Sequence, residues 1–197
     1  MLRKLGIFEK AMLITNQHAP FNIVSVLRME NAPAPETIHT VLSTLQRQQP
    51  FLRARIVNGR FEALSFTDFR FSTIKRIDAN EWRQIAEREM AHRYDHERGP
   101  LFRATYIYND GLGELILNVH HTIMDAASGM NLLDELLRLC SGETADLPPL
   151  ELAPVFEERF PPAHRGLRRA LNLIGYALSQ MAEMATFGLR TRGKRIP

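Results

Sequence analysis

Two β-rich runs joined by a short turn constrain the fold of this chain more than any other feature. The segment LFRATYIYNDGLGELILNVHH, residues 101–121, turns at Asn109–Gly113 and predicts an antiparallel hairpin. A second hairpin is predicted around Asn58-Gly59, because this dipeptide readily adopts the positive φ angles of a two-residue turn. Further strands are predicted at residues 21–29 and 69–77. The chain should therefore contain a sheet built largely from antiparallel pairs.

Helical signals lie between these strands. Pro35 is placed near a helix start and Pro50 ends that helix. Asp78 and Glu81 resemble a capping box. The predicted helices cover residues 5–17, 35–49, 78–93 and 126–141. Helices that alternate with a largely antiparallel sheet predict an α+β fold.

Length and composition limit the class of protein. A chain of 197 residues suits one domain, or one domain with an appendage. Its 45% hydrophobic and 24% charged residues are ordinary for a soluble globular protein. The single cysteine, Cys140, excludes a disulfide framework. No signal peptide is evident at the N-terminus, so a cytoplasmic location is expected.

The C-terminal region differs from the rest of the chain. Residues 1–145 are predicted to form the main domain, and residues 146–197 a Pro-rich linker followed by an amphipathic helix at about His164–Phe187. Seven basic residues and one acidic residue follow from Arg165 onward. The body lacks basic residues interleaved with aromatic ones, which argues against nucleic-acid binding. The basic tail is expected to pack against a partner, and contact with a membrane surface is the alternative.

His120, His121 and Asp125 form the densest group of chemically capable side chains. Adjacent residues of a strand point to opposite faces, so the two histidines should have different surroundings. A neutral imidazole suits general-base catalysis near neutral pH. Asp125 is placed either to cap the following helix or to pair with an arginine. Two alternatives stay open: both histidines are structural, or the three residues bind a metal, although the opposite facing of the histidines disfavours a metal site.

Four segments carry a resemblance to a known superfamily. HHTIMDA, from His120 to Ala126, resembles the His-His-x-x-x-Asp-Gly signature of the chloramphenicol acetyltransferase and condensation-domain superfamily. YDHERGPLFRATYIY, QQPFLRARI and LGIFEKAMLITNQ resemble other segments of condensation domains, in the order and spacing that the family has. The resemblance covers residues 1 to about 145 and is greatest to the N-terminal half of condensation-type enzymes.

The resemblance implies a fold, a reaction and roles for residues. It implies a chloramphenicol acetyltransferase-like two-layer sandwich that moves an acyl group from a coenzyme A or carrier-protein phosphopantetheine thioester to an alcohol or amine. His121 would be the catalytic base, with His120 supporting it. Asp125 would pair with Arg53, with Arg55 as the fallback. Neither a metal nor a permanently bound cofactor is implied, because the thioester is already activated.

The sequence departs from the family pattern at three points. Ala126 stands where the motif has glycine, and Gln48 and Gln49 replace an Arg-His pair. The motif of the family's second half is not found in this sequence. Three arrangements therefore stay open: the N-terminal fragment of a two-domain condensation-type enzyme, a homo-oligomer with a shared site, or a second half-domain as partner. The alternative is a non-catalytic half-domain that acts as an interaction module, and a metal-dependent hydrolase is the weakest hypothesis.

Overall fold

The computed structural model describes residues 3–65, 69–109 and 111–143, together with residues 154–155, 158, 171–172, 174–176 and 179. The chain divides into two compact units, Met1–Ala153 and Pro154–Pro197. The helices of the first unit are α1 (Ile7–His18), α2 (Pro35–Gln48), α3 (Glu81–Met90) and α4 (Ala126–Cys140), with a short 3₁₀ turn at Pro50–Arg53. Its strands are β1 (Asn22–Glu30), β2 (Ala54–Val57), β3 (Arg60–Ala63), β4 (Arg70–Lys75), β5 (Phe102–Tyr108) and β6 (Leu112–His120).

The main sheet has the strand order β1-β6-β5-β4. Strand β6 lies between β1 and β5 and is antiparallel to both. Strands β2 and β3 form a separate hairpin that turns at Asn58 and Gly59, whose φ angles of 50° and 68° match the predicted turn. Both predicted hairpins and the α+β class are therefore confirmed.

Helices cover both faces of the sheet. Leu115, Leu117 and Val119 of β6 belong to the larger apolar cluster, which also contains residues of α2 and α4. Ile116 points the opposite way and packs with Ile85 of α3 in a smaller cluster. Strands β4 and β5 are parallel, and a parallel pair needs a crossover connection, which α3 supplies. Helix α3 therefore adds a helical layer to the two-layer arrangement that we expected.

The start of α3 differs from the predicted capping box. The helix begins at Glu81 and ends at Met90, three residues before the predicted end. The Asp78 carboxylate accepts from the N–H of Asn80 at 2.6 Å, and the Glu81 carboxylate accepts from the N–H of Ile77 at 3.3 Å. The two acidic residues thus close a turn ahead of the helix, because their side chains bond backbone groups that precede its first residue.

The C-terminal predictions fall mainly on residues that the structure does not describe. The predicted boundary after residue 145 is among them, as is most of the predicted basic helix. Within that helix, the described residues 171–172, 174–176 and 179 are helical. Among all described residues, no helix is long and apolar enough to span a membrane.

Candidate active site

The two histidines lie at the C-terminal end of β6. Pairing of β6 with β1 aligns His120 with Asn22, and the N–H of His121 donates to the carbonyl oxygen of Phe21 at 3.0 Å. On the other side, the N–H of His120 donates to the carbonyl oxygen of Leu101 at 3.0 Å. The strand is thus held on both edges up to its last residue, which fixes the backbone from which both imidazoles project.

His120 is fully buried on the face of the sheet that carries α3. Its Nδ1 accepts from the N–H of Thr122 at 3.2 Å and lies 2.8 Å from the Thr122 hydroxyl. The ring meets Tyr94 edge-on, with centroids 5.9 Å apart. Burial, assisted by the nearby His96 and His121, lowers the pKa of His120 to about 4. His120 is therefore neutral near pH 7, with Nδ1 occupied as an acceptor, and is poorly placed to serve as a general base.

The buried neutral His120 should make the fold sensitive to acid. Below pH 6.5 the unfolded chain takes up a proton at His120, whereas the folded protein does so only near pH 4. Between these values, His120 should cost up to about 1.4 kcal/mol of stability for each pH unit lost. The His120→Gln variant should start less stable but lose less between pH 7 and pH 5. Urea unfolding at both pH values checks this, and equal losses in the two proteins would contradict it.

His121 occupies a different environment. The residue is partly exposed, and its ring stacks on Phe21 with centroids 4.8 Å apart and 14° between the ring planes. Its Nδ1 is buried and has no hydrogen-bond partner among the described residues. Of the two histidines, His121 is the one that a ligand at the end of the sheet can reach.

Asp125 caps α4 and does not pair with Arg53. Its carboxylate accepts from the N–H of Ser128 at 2.8 Å. Hydrogen bonding from the Ser128 side chain, and then from this N–H, holds the pKa of Asp125 below its ordinary value, and His121 acts in the same direction. Arg53 Nη1 instead donates to the carbonyl oxygen of Leu64 at 3.5 Å. No ion pair joins Asp125 to Arg53 or Arg55 in the part of the chain that the structure describes, and Arg55 pairs with Glu62 at 3.0 Å. The predicted pair of Asp125 with Arg53 was therefore wrong. The Asp125 carboxylate instead bonds the N-terminus of α4, which follows it directly in the chain.

A buried polar network lies behind the histidines. Glu89 of α3 accepts from Nδ2 of Asn118 at 2.8 Å and forms an ion pair with Arg103 at 3.1 Å. The Tyr94 hydroxyl donates to the carbonyl oxygen of Asn118 at 2.7 Å. The network thus ties α3 and the segment after it to the strand that carries His120.

This network was not among the features predicted from the sequence, although the sequence holds a signal for it. Glu114, Asn118 and His120 are polar residues in an otherwise apolar strand, and their even spacing puts all three on one face. That face therefore had to supply polar partners, since buried polar groups are costly when unpaired. The partners themselves come from residues distant in sequence, and no local pattern reveals them.

The described residues hold no group of three His, Cys, Asp or Glu side chains arranged to bind a metal ion. His120 and His121 lie in different surroundings, and the Asp125 carboxylate is used by the α4 cap. Of the two histidines of the motif, only His121 is thus accessible.

Comparison with known proteins assigns the chain to a family. Residues 9–157, which include both histidines and Asp125, match the family described as the condensation domain. The chain belongs to the condensation-domain family. It is 27% identical over 165 residues to a linear gramicidin synthase from Brevibacillus parabrevis, covering 78% of this chain and 3% of that protein.

Solved structures of condensation domains share the fold. A variant of the starter condensation domain of rhizomide synthetase RzmA superposes with a TM-score of 0.65 at 14% identity, covering 100% of this chain and 50% of that one. The same domain has been solved in complex with C8-CoA. The X-domain from teicoplanin biosynthesis gives a TM-score of 0.65 at 14% identity, covering 98% and 40%, and has also been solved in complex with OxyB. The chain thus spans half or less of each of these solved chains.

Proposed function

We propose that this chain is the histidine-bearing half of a condensation-type acyltransferase. In this proposal His121 removes a proton from an alcohol or amine as the oxygen or nitrogen attacks the carbonyl carbon of an acyl thioester. The new ester or amide bond forms as the carbon–sulfur bond breaks, and the proton passes from His121 to the departing thiolate. The observation that carries the proposal is the partly exposed imidazole of His121 at the end of β6, within the region that matches the family.

The contrast between the histidines supports this division of roles. His120 has its Nδ1 occupied by Thr122 and a lowered pKa, so it suits a structural role behind the site. Asp125 shapes the turn between β6 and α4 through the helix cap. The donor is proposed to be a thioester of coenzyme A or of a carrier-protein phosphopantetheine. The complex of the RzmA starter domain with C8-CoA supports the first of these.

This chain covers only half or less of the solved chains named above. This partial coverage supports a site that is completed by a second protein surface. We propose a second half-domain, or another copy of this chain, as that partner. The alternative is an interaction module that retains the fold without turnover. The teicoplanin X-domain, whose fold is similar to that of this chain, has been solved in complex with OxyB, and this supports the alternative.

Release of free thiol tests the proposed reaction. The 197-residue chain is incubated with acyl-coenzyme A and acyl-phosphopantetheine donors, with and without pooled alcohols and amines, and its oligomeric state is measured by analytical ultracentrifugation. Release that depends on the acceptor is expected, from an oligomer or from a mixture with a second half-domain. A stable monomer that releases no thiol, either by itself or mixed with a second half-domain, would favour the interaction module.

A further inference from the structure

The ring of Phe21 stacks on the imidazole of His121. Phe21 belongs to neither of the two apolar clusters of the described residues. The two rings are nearly parallel, 14° apart, at a centroid distance of 4.8 Å. Phe21 is only partly buried. A large aromatic side chain that joins neither cluster contributes little to the core, and its position is better explained by the imidazole it covers.

The backbone of Phe21 is fixed at both of its polar groups. Its N–H donates to Oδ1 of Asn16 at 3.1 Å, and its carbonyl oxygen accepts from the N–H of His121 at 3.0 Å. Asn16 is itself buried near the end of α1. Phe21 is therefore anchored on one side to α1 and on the other to the backbone of His121.

The end of α1 is held in turn by Arg93, which follows α3. Its guanidinium donates to the carbonyl oxygens of Asn16, Gln17 and His18 at 3.4, 3.3 and 3.1 Å. These carbonyls belong to the last turn of α1, where intrahelical partners run out and a cation interacts favourably with the helix dipole. Arg93 thus connects α1 to the segment that leads into β5.

We propose that Phe21 is a positioning residue for His121. No hydrogen bond holds the His121 ring in the described part of the chain, since its Nδ1 has no partner there. The flat face of Phe21 restrains the plane of the His121 ring, while Asn16 and Arg93 keep Phe21 in place. This inference rests on the proposed role of His121 as the base, because a base must be oriented toward its acceptor to act.

Two substitutions at Phe21 distinguish the effect of the aromatic ring from the effect of side-chain volume. Phe21→Leu removes the aromatic face but keeps an apolar side chain, and Phe21→Tyr retains the ring. Histidine-labelled NMR of the 197-residue chain reports the ring-current shift of the His121 Cδ2 and Cε1 protons and the χ1-dependent couplings of its side chain. His121→Gln identifies the signals. If the leucine variant fails to fold, Phe21→Met replaces it.

The expected result is loss of the ring-current shift and averaging of the χ1 couplings in Phe21→Leu, with both retained in Phe21→Tyr. Acceptor-dependent thiol release should fall about 100-fold in kcat with little change in KM for the leucine variant, and recover in the tyrosine variant. Unchanged χ1 couplings in Phe21→Leu, or full activity, would overturn the proposal. If the wild type shows no turnover while the couplings average as expected, the proposed reaction fails and the positioning by Phe21 stands.

Discussion

Replacing His121 by glutamine is expected to lower acceptor-dependent thiol release by about 10²- to 10⁴-fold, the range that general-base catalysis supplies. Glutamine keeps a polar side chain of similar length but cannot accept a proton near neutral pH. The side chain of His121 has no hydrogen bond to lose among the described residues, and the N–H that bonds Phe21 belongs to the backbone. The variant should therefore remain folded, and the loss should lie in kcat.

His18→Gln is the matched control for this variant. His18 is an exposed histidine at the end of α1, and its described bond to Arg93 is made by its backbone carbonyl. Its substitution should leave both turnover and thermal unfolding unchanged. Rates within about twofold for His121→Gln and the wild type, in a preparation that turns over, would contradict the assignment of His121 as the base.

Replacing Glu89 by alanine is expected to have the largest effect on stability, about 3 kcal/mol in the free energy of unfolding. The side chains of Glu89 and Arg103 are only 10% and 18% exposed, so removal of the carboxylate leaves a mostly buried guanidinium without its ion-pair partner. The same change removes the carboxylate acceptor of Asn118 Nδ2 at 2.8 Å, and leaves the second acceptor, the backbone carbonyl oxygen of Glu89, at 2.7 Å. The network behind His120 would thus lose a charge and a hydrogen bond together.

Two further variants separate these contributions in urea unfolding. Glu89→Gln keeps an acceptor for Asn118 without the charge, and should lose about half as much stability as the alanine variant. Glu87→Ala changes an exposed carboxylate on the same helix and should stay within about 0.5 kcal/mol of the wild type. A Glu89→Ala variant as stable as Glu87→Ala would show that the ion pair with Arg103 contributes nothing net.

Much of the fold could be predicted because its signals are local. The hairpin at Asn58 and Gly59 follows from two residues that tolerate positive φ, and the start of α2 follows from Pro35 at its first position. The start of α3 was less predictable from the sequence than these features. Asp78 and Glu81 have the spacing of a capping box, but whether such side chains bond the helix or the turn before it depends on backbone geometry that the spacing leaves open.

In the candidate site, too, some features could be predicted from local sequence and others could not. The placement of His120 and His121 at a strand end, in different surroundings, follows from the period-two alternation of a strand, and the α4 cap follows from an aspartate next to the helix. The Arg53–Asp125 pair joins residues far apart in the chain, and the structure does not form it. Residue type alone did not decide between a cap and an ion pair, because an aspartate is suited to both.

The sequence by itself determined the elements, the hairpins and the adjacency of the two histidines to the cap of α4. Each of these depends on residues within a few positions of one another, whose conformational preferences act before any distant contact forms. The tertiary structure alone decided that His120 is buried against Tyr94, that Glu89 of α3 reaches Asn118, and that Phe21 covers His121. These contacts join segments up to 100 residues apart in the chain, and they arise only when the pairing of β1 with β6 and the crossover through α3 bring those segments together.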